Sequence, residues 1–337
     1  MSLRRVKTVQ PGEVLLLSAR DVDVLLDPAS CIAAVERGLR ARGEGRATPT
    51  GVLGLPLADG GFHVKVAAFQ TDRHYFAAKI NGNFPANPAQ RRLPTIQGVL
   101  ALFDAANGTP LALIDSIRIT ALRTAAATAV AARRLARSES SRLLVVGCGV
   151  QAAAQLDALR VVLPISSVMC HDVRPERAVQ LADRARRLGL EASAVAAVHQ
   201  AARASDVIVT CTTSRQPLLG PGDVPAGCFV AAVGADNEGK QELEPALMAG
   251  ARVVVDLLEQ CLRIGDLRGA VAAGAMTPEE VHAELADVVA GRRPGRRSAE
   301  ELFVLDSTGT ALQDVVAAAA VYERAVERGS GTWLRIA

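Results

Sequence analysis

Apolar positions along this chain fall into two regimes. Up to about residue 115 they come in short alternating runs, and beyond about residue 140 as unbroken runs separated by helical stretches. The run EVLLLS at 13–18 reads as a strand. After Asp-Val-Asp, apolar residues at Cys31, Ala34, Val35 and Leu39 recur at helical spacing toward Gly43 and predict an amphipathic helix. GVLGLPL, FHVKVAAF and YFAAKI follow, the first two split by Gly60-Gly61, and this hairpin-like spacing predicts an antiparallel sheet. LPTIQG leads into VLALFD, Asn107-Gly108 makes a tight turn, and LALID completes the group. An alanine-rich helix runs from Ile119 to about Arg137.

From 142 to 256 strands alternate with helices: RLLVVG, a helix to Leu163, SVMCHD, a helix over 175–189, then DVIVTCTT, CFVAAVGAD and RVVVD. Such short apolar runs mark a parallel sheet covered on both faces, an α/β fold of the Rossmann type. At its start, RLLVVGCGVQA carries a dinucleotide-binding turn. Gly147 allows the sharp strand-to-helix turn, Gly149 lets backbone approach a pyrophosphate, and small Ala152 lets the helix lie close to the strand. The next strand ends in Asp172, where a carboxylate accepts from the adenosine ribose and disfavours a 2′-phosphate. NAD is therefore expected in preference to NADP, unless Arg174 turns inward to pair with a phosphate. Thr212-Thr213 and Gly234-Ala235-Asp236 fall at strand ends, on the edge where ligands sit in such sheets, which aims Asp236 near a nicotinamide. After residue 300, FVLDSTGTALQD and a second alanine-rich helix to about Glu327 close the chain.

Polar residues inside apolar runs are the candidates for chemistry. His63 and Lys65 alternate with Val64 and Val66, so both point to one face of their strand, either a solvated face or a binding face. Lys79 follows Phe76-Ala77-Ala78 and precedes Ile80, and an ammonium so bounded wants an anion. Arg123 interrupts the apolar character of its helix, as either a surface charge or a carboxylate fork in a cleft.

Composition narrows the classes. With 337 residues, 50% hydrophobic and 22% charged, the chain is long enough for two cores and has the balance of a globular protein. A net charge of +3 with 3% aromatics gives no platform for nucleic acid, and the Arg292–Arg297 run reads as an exposed linker. No apolar run spans a bilayer, and the start, MSLRRVKTVQPGEVLLLSARD, lacks the unbroken apolar region of a secretory signal. Six cysteines far apart, with no CxxC, read as core residues in a reducing cytoplasm, and without an HExxH-like pairing no metal is expected.

Several motifs in order, AAKINGNFPAN, LPTIQGVL, DSIRITALRTAAATAVAARRLAR, VVGCGVQA, VGAD…K and LDSTGTALQD, resemble the ornithine cyclodeaminase/μ-crystallin family. The resemblance implies a Rossmann-type parallel-sheet domain, 119–305, inserted into a discontinuous α+β domain, 1–118 plus 306–337, that binds substrate and joins two copies into a homodimer. It implies that Lys79 and Arg123 hold a substrate carboxylate and that Asp236 exchanges a proton at the substrate. It places Thr95, Val150, Gln151, Asp172, Thr213, Lys240 and Ser307 at the cofactor, beside Gly147, Gly149 and Arg123; His63 and Lys65, a pair not expected in the ornithine enzyme, and Thr308 are candidates for the substrate. One departure stands out. Where relatives that bind ornithine carry an arginine, this chain has Thr50-Gly51, which implies altered substrate choice with retained chemistry. Three activities share the site the resemblance implies: net oxidoreduction of a small α-amino or α-imino acid, cyclodeamination of ornithine with recycled NAD, and ligand binding without turnover. Retention of Lys79, Arg123 and Asp236 argues against the third, and the missing arginine against the second, so redox ranks first.

Overall fold

The computed structural model describes residues 12–46, 50–70 and 73–336. The basic start of the chain, read above for a leader, lies outside them, as does part of the approach to Thr50. In chain order the elements begin with β1 (Glu13–Leu17), α1 (Ala19–Leu25), α2 (Pro28–Gly43), β2 (Gly51–Leu57), β3 (Gly60–Gln70), β4 (His74–Asn83), α3 (Asn87–Arg91), β5 (Ile96–Asp104), β6 (Pro110–Asp115) and α4 (Ser116–Leu135). There follow β7 (Arg142–Val146), α5 (Val150–Val162), β8 (Ser167–His171), α6 (Pro175–Arg187), β9 (Glu191–Ala194), α7 (Val198–Arg203), β10 (Val207–Thr210), β11 (Phe229–Ala232), α8 (Pro245–Ala249) and β12 (Arg252–Val255). The chain ends with α9 (Leu258–Ile264), α10 (Asp266–Ala272), β13 (Ala283–Glu284), α11 (Leu285–Val289), β14 (Phe303–Asp306), α12 (Ala311–Arg328) and β15 (Thr332–Arg335).

Two compact units divide these elements: one takes the chain up to Arg123 and from Thr310 onward, the other Thr124–Gly309. The boundary falls inside α4.

The first unit is a seven-stranded sheet in the order β15-β1-β6-β5-β4-β3-β2. Its hairpins are antiparallel as the alternation predicts, but β1 pairs parallel with β6. Helices and four strands separate those two in sequence, so no tight turn constrains them to run antiparallel. Strand period two sorts the side chains of β4: Tyr75, Ala77 and Lys79 are buried on the inner face, whereas Ile80 is 41% exposed on the other. Helix α12 packs against β3, β4, β5 and α2, so the inner face is its floor. The outer face carries apolar side chains that stay exposed. Leu55↔Phe62, Leu53↔Val64↔Ile80↔Val99 and Ala101↔Leu113 stand in register across it, and Leu53, Leu55, Phe62, Ile80 and Leu113 are exposed.

The second unit is an eight-stranded sheet in the order β13-β12-β14-β11-β10-β7-β8-β9, parallel throughout. Its central strands are buried on both faces, which is why they read as unbroken apolar runs. The strand signal after residue 300 is β14, which lies between β11 and β12 in this sheet and not in the first one. Arg296 departs from the exposed-linker expectation: its guanidinium donates to the carbonyls of Leu135 (2.8 Å) and Glu301 (2.5 Å) and stacks 5.4 Å from the Phe303 ring. Arg292, Arg293 and Arg297 around it are exposed.

Candidate active site

In the first unit, Lys79 on β4 and Arg123 on α4 both reach one acid, Asp314 in the first turn of α12. Lys79 Nζ lies 2.7 Å from Asp314 Oδ2, and Arg123 Nε donates to Oδ1 at 2.8 Å. Thr120 Oγ1 accepts from Lys79 at 3.2 Å, and Gln313 Oε1 accepts from Arg123 at 2.9 Å. All three charged residues are at most 4% exposed. Burial pulls Lys79 down to about 7, helped by the nearby Arg123 and Lys65 charges and opposed by Asp314. Burial also pushes Asp314 upward, but Lys79 and Arg123 outweigh it and keep the carboxyl below its usual range. The anion that Lys79 wants is thus partly internal. Two cations still share one carboxylate, and the buried Nε2 of Gln313 has no hydrogen-bond partner, so the cluster keeps an unused donor and a surplus of positive charge. Deleting Asp314 would strand two buried cations, at a cost of about 3–5 kcal/mol.

Lys65 stands directly opposite Lys79 in the β3/β4 register and His63 opposite Asn81, so both lie on the inner face. Lys65 is half-buried and His63 exposed. Thr95, just before β5, is half-buried, and its carbonyl accepts from the Phe84 amide at 2.8 Å.

In the second unit the glycine turn behaves as its spacing predicts. Gly147 has φ +90°, and a Cβ there would lie 2.8 Å from Thr212 Cγ2 and 2.9 Å from the Cys211 carbonyl oxygen. A Cβ at Gly149 would meet nothing within 4 Å, so internal packing does not require that glycine. Gly149 is the N-cap of α5, and no side chain caps the helix. Val150 is 72% exposed, Val173 is 90% exposed, and the buried Oε1 of Gln151 has no partner. Open space at a glycine, an uncapped helix start, exposed apolar rims and an orphaned acceptor together fit a bound dinucleotide. Asp172 accepts from the Cys148 amide at 2.7 Å and the Arg174 amide at 2.9 Å, which holds its carboxylate beside the turn. The Arg174 residue is exposed.

Thr213, beyond β10, is exposed. Asp236, past the end of β11, is exposed too, and Lys240 Nζ donates to its Oδ1 at 2.6 Å. Ser307 and Thr308 are each 3% exposed, and their hydroxyls donate to Asp256 at 3.1 and 3.0 Å. These two hydroxyls therefore have an internal partner. Asp256, Glu242 and Asp314 are the acids that sequence reasoning missed. Asp314 lies within LDSTGTALQD, where nothing but its place in a helix's first turn marks it; Asp256 ends the run RVVVD as Asp172 and Asp236 end theirs, and Glu242 carries no such mark.

No group of three or more metal-ligating side chains gathers among the described residues, and no helix among them is long and apolar enough to cross a membrane.

An open parallel sheet with a phosphate-binding turn at the end of β7, beside the strand-order reversal between β7 and β10, defines a Rossmann-type dinucleotide-binding protein. The chain belongs to the ornithine cyclodeaminase/mu-crystallin family, whose pattern it matches over residues 13–329. An archaeal alanine dehydrogenase dimer with bound NAD is 37% identical and superposes with a TM-score of 0.92, over 96% of this chain and 100% of that one. The Δ1-pyrroline-2-carboxylate reductase of Thermococcus litoralis, in complex with NADH and L-proline, is 31% identical with a TM-score of 0.89, over 95% and 99% of the two chains. The iminosuccinate reductase of Paracoccus denitrificans, in complex with NAD+, is 34% identical with a TM-score of 0.88, over 96% and 100%.

Proposed function

We propose that this protein is an NAD-dependent oxidoreductase that exchanges hydride with the Cα of a small α-amino or α-imino acid. The observation that carries this reading is the buried Lys79–Asp314–Arg123 cluster, in a chain whose other unit is built for a dinucleotide. An α-carboxylate supplies the second anion that two cations call for. Its oxygens suit the Arg123 fork, and the spare Gln313 amide offers a further donor. NAD, when bound, takes the hydride from Cα or returns it.

Asp236 is assigned the proton: in oxidation the substrate amine gives it up as Cα loses hydride, and in reduction the imine nitrogen receives it. Lys240 holds the Asp236 carboxylate in place. Gly147, Gly149, Val150 and Gln151 receive the pyrophosphate and Asp172 the adenosine ribose, with Thr95, Thr213 and Ser307 also assigned to the cofactor. His63, Lys65 and Thr308 are assigned to the substrate side. Asp172 favours NAD over NADP. The exposed outer face of the first sheet is the surface through which two copies would form a homodimer, and the six free thiols suit a reducing cytoplasm.

The test separates binding from chemistry. With NAD saturating and the amino acid varied, Arg123→Lys lowers kcat/KM about 100-fold, because an ammonium cannot reproduce the fork. Asp236→Asn lowers kcat about 100-fold with KM little changed. NADH binding remains measurable in both. An Arg123→Lys enzyme with undiminished kcat/KM contradicts the carboxylate clamp.

A further inference from the structure

The mechanism above leaves unused a fully buried acid in the second unit. Glu242, between β11 and α8, is 0% exposed and takes four hydrogen bonds. Its Oε1 accepts from the Thr212 amide and hydroxyl, both at 2.7 Å, and its Oε2 from the Thr210 hydroxyl and the Gly234 amide, both at 2.8 Å. Thr210 ends β10, Thr212 follows it, and Gly234 follows β11, the parallel neighbour of β10. One carboxylate thus ties the carboxyl ends of two adjacent strands. The strand ends and the carboxylate leave no room at position 234 for more than glycine, since a Cβ there would lie 2.5 Å from both Glu242 Oε1 and the Thr212 carbonyl oxygen.

Glu242 is itself anchored. Its amide donates to Asp266 Oδ1 at 2.7 Å, and the amides of Asp266 and Leu267 donate in turn to the Asp306 carboxylate at 3.2 and 2.9 Å. Burial and the neighbouring Asp266 charge push Glu242 up to about 7, although its hydrogen bonds pull the other way. An acid kept in so costly a place does more than fill space, because a neutral side chain of the same volume would fill it at lower cost.

We propose that Glu242 is a positioning residue for hydride transfer: by clamping the ends of β10 and β11 it fixes the segments that carry Thr213 and Asp236. This rests on the oxidoreductase reading above.

Glu242→Gln tests it. Glutamine keeps the volume but has one acceptor oxygen in place of two, and its amide nitrogen faces groups that themselves donate. Relief of the buried charge offsets the donors left unpaired, so the thermal midpoint should stay within about 5 °C of that of the wild type. NADH binding, read by the fluorescence of the bound nicotinamide, should weaken about tenfold, and kcat at saturating NADH should fall about tenfold. The amino-acid KM at saturating NAD should stay within about threefold. Glu242→Asp, which returns the carboxylate one methylene short, should recover part of the loss. Thr210→Val deletes a single donor and covers the case in which the glutamine variant fails to fold; it should weaken NADH binding about twofold to threefold.

Glu242→Gln with wild-type NADH affinity and turnover would overturn the proposal. So would a loss that merely follows a lowered thermal midpoint and is missing in Thr210→Val. Failure of the wild type itself to bind NADH would bring down the oxidoreductase reading and this role with it, whereas normal wild-type binding with an unaffected Glu242→Gln removes only the positioning role.

Discussion

At the scale of single residues, Lys79 is the one whose chemistry depends most on where the fold puts it. It shares the buried phase of Tyr75 and Ala77, and burial brings its ammonium down to about 7. As pH rises through that value the lysine loses its charge and the proposed clamp loses one of its two cations. Binding of pyruvate, whose only titrating group is an already ionised carboxylate, should therefore be tight below about pH 7 and weaken above it, by at most tenfold per unit. Competition binding across about pH 6 to 9 checks this, and a flat affinity would show that the Lys79 charge has no part in the clamp. The sequence makes Lys79 and Arg123 legible because charges inside apolar patterns demand an explanation. It hides Asp314. A first-turn acid is the ordinary companion of any helix start, and this one lies 191 residues from Arg123. Glu242 is hidden for a similar reason: between Gln241 and Leu243 in a loop, an acid carries no mark of burial.

At the scale of elements, strands with an apolar pattern could be read from the sequence, the exposed edge strand β2 among them, and short edge strands without one could not. The β9 segment, EASA, and the β15 segment, TWLR, are largely solvent-exposed, so neither has an apolar phase to reveal it. The parallel pairing of β1 with β6 is also beyond local pattern, because it joins strands far apart in the chain. The exposed face of the first sheet makes its own prediction. Isolated exposed leucines need no explanation, but apolar residues in cross-strand register form a continuous patch. Leu55→Lys, at the centre of the Leu53, Leu55 and Phe62 cluster, should shift the protein from dimer to monomer and weaken association at least about 100-fold, since each of the two copies loses a leucine worth up to roughly 3 kcal/mol when buried. Sedimentation or light scattering over a dilution series reads this directly, and a monomeric wild type or a fully dimeric variant would contradict it.

At the scale of the whole molecule, the alternation before residue 115 and the unbroken runs after residue 142 announce two kinds of sheet, and the structure has one of each. Strand order was not legible, because it is set by crossovers and not by the strands themselves; β14 returns to the middle of the parallel sheet from the far end of the chain. A dinucleotide edge in one unit and the buried Lys79–Asp314–Arg123 cluster in the other support the central proposal, net redox on a small α-amino or α-imino acid. The most direct measurement follows NADH absorbance and ammonia together while the purified protein is offered amino acids with NAD, then keto acids with ammonia and NADH. At least one small substrate should change NADH in proportion to the ammonia released or consumed. Ammonia released from ornithine or lysine with no net change in NADH would contradict it, and would make the protein a cyclodeaminase that returns the hydride it takes.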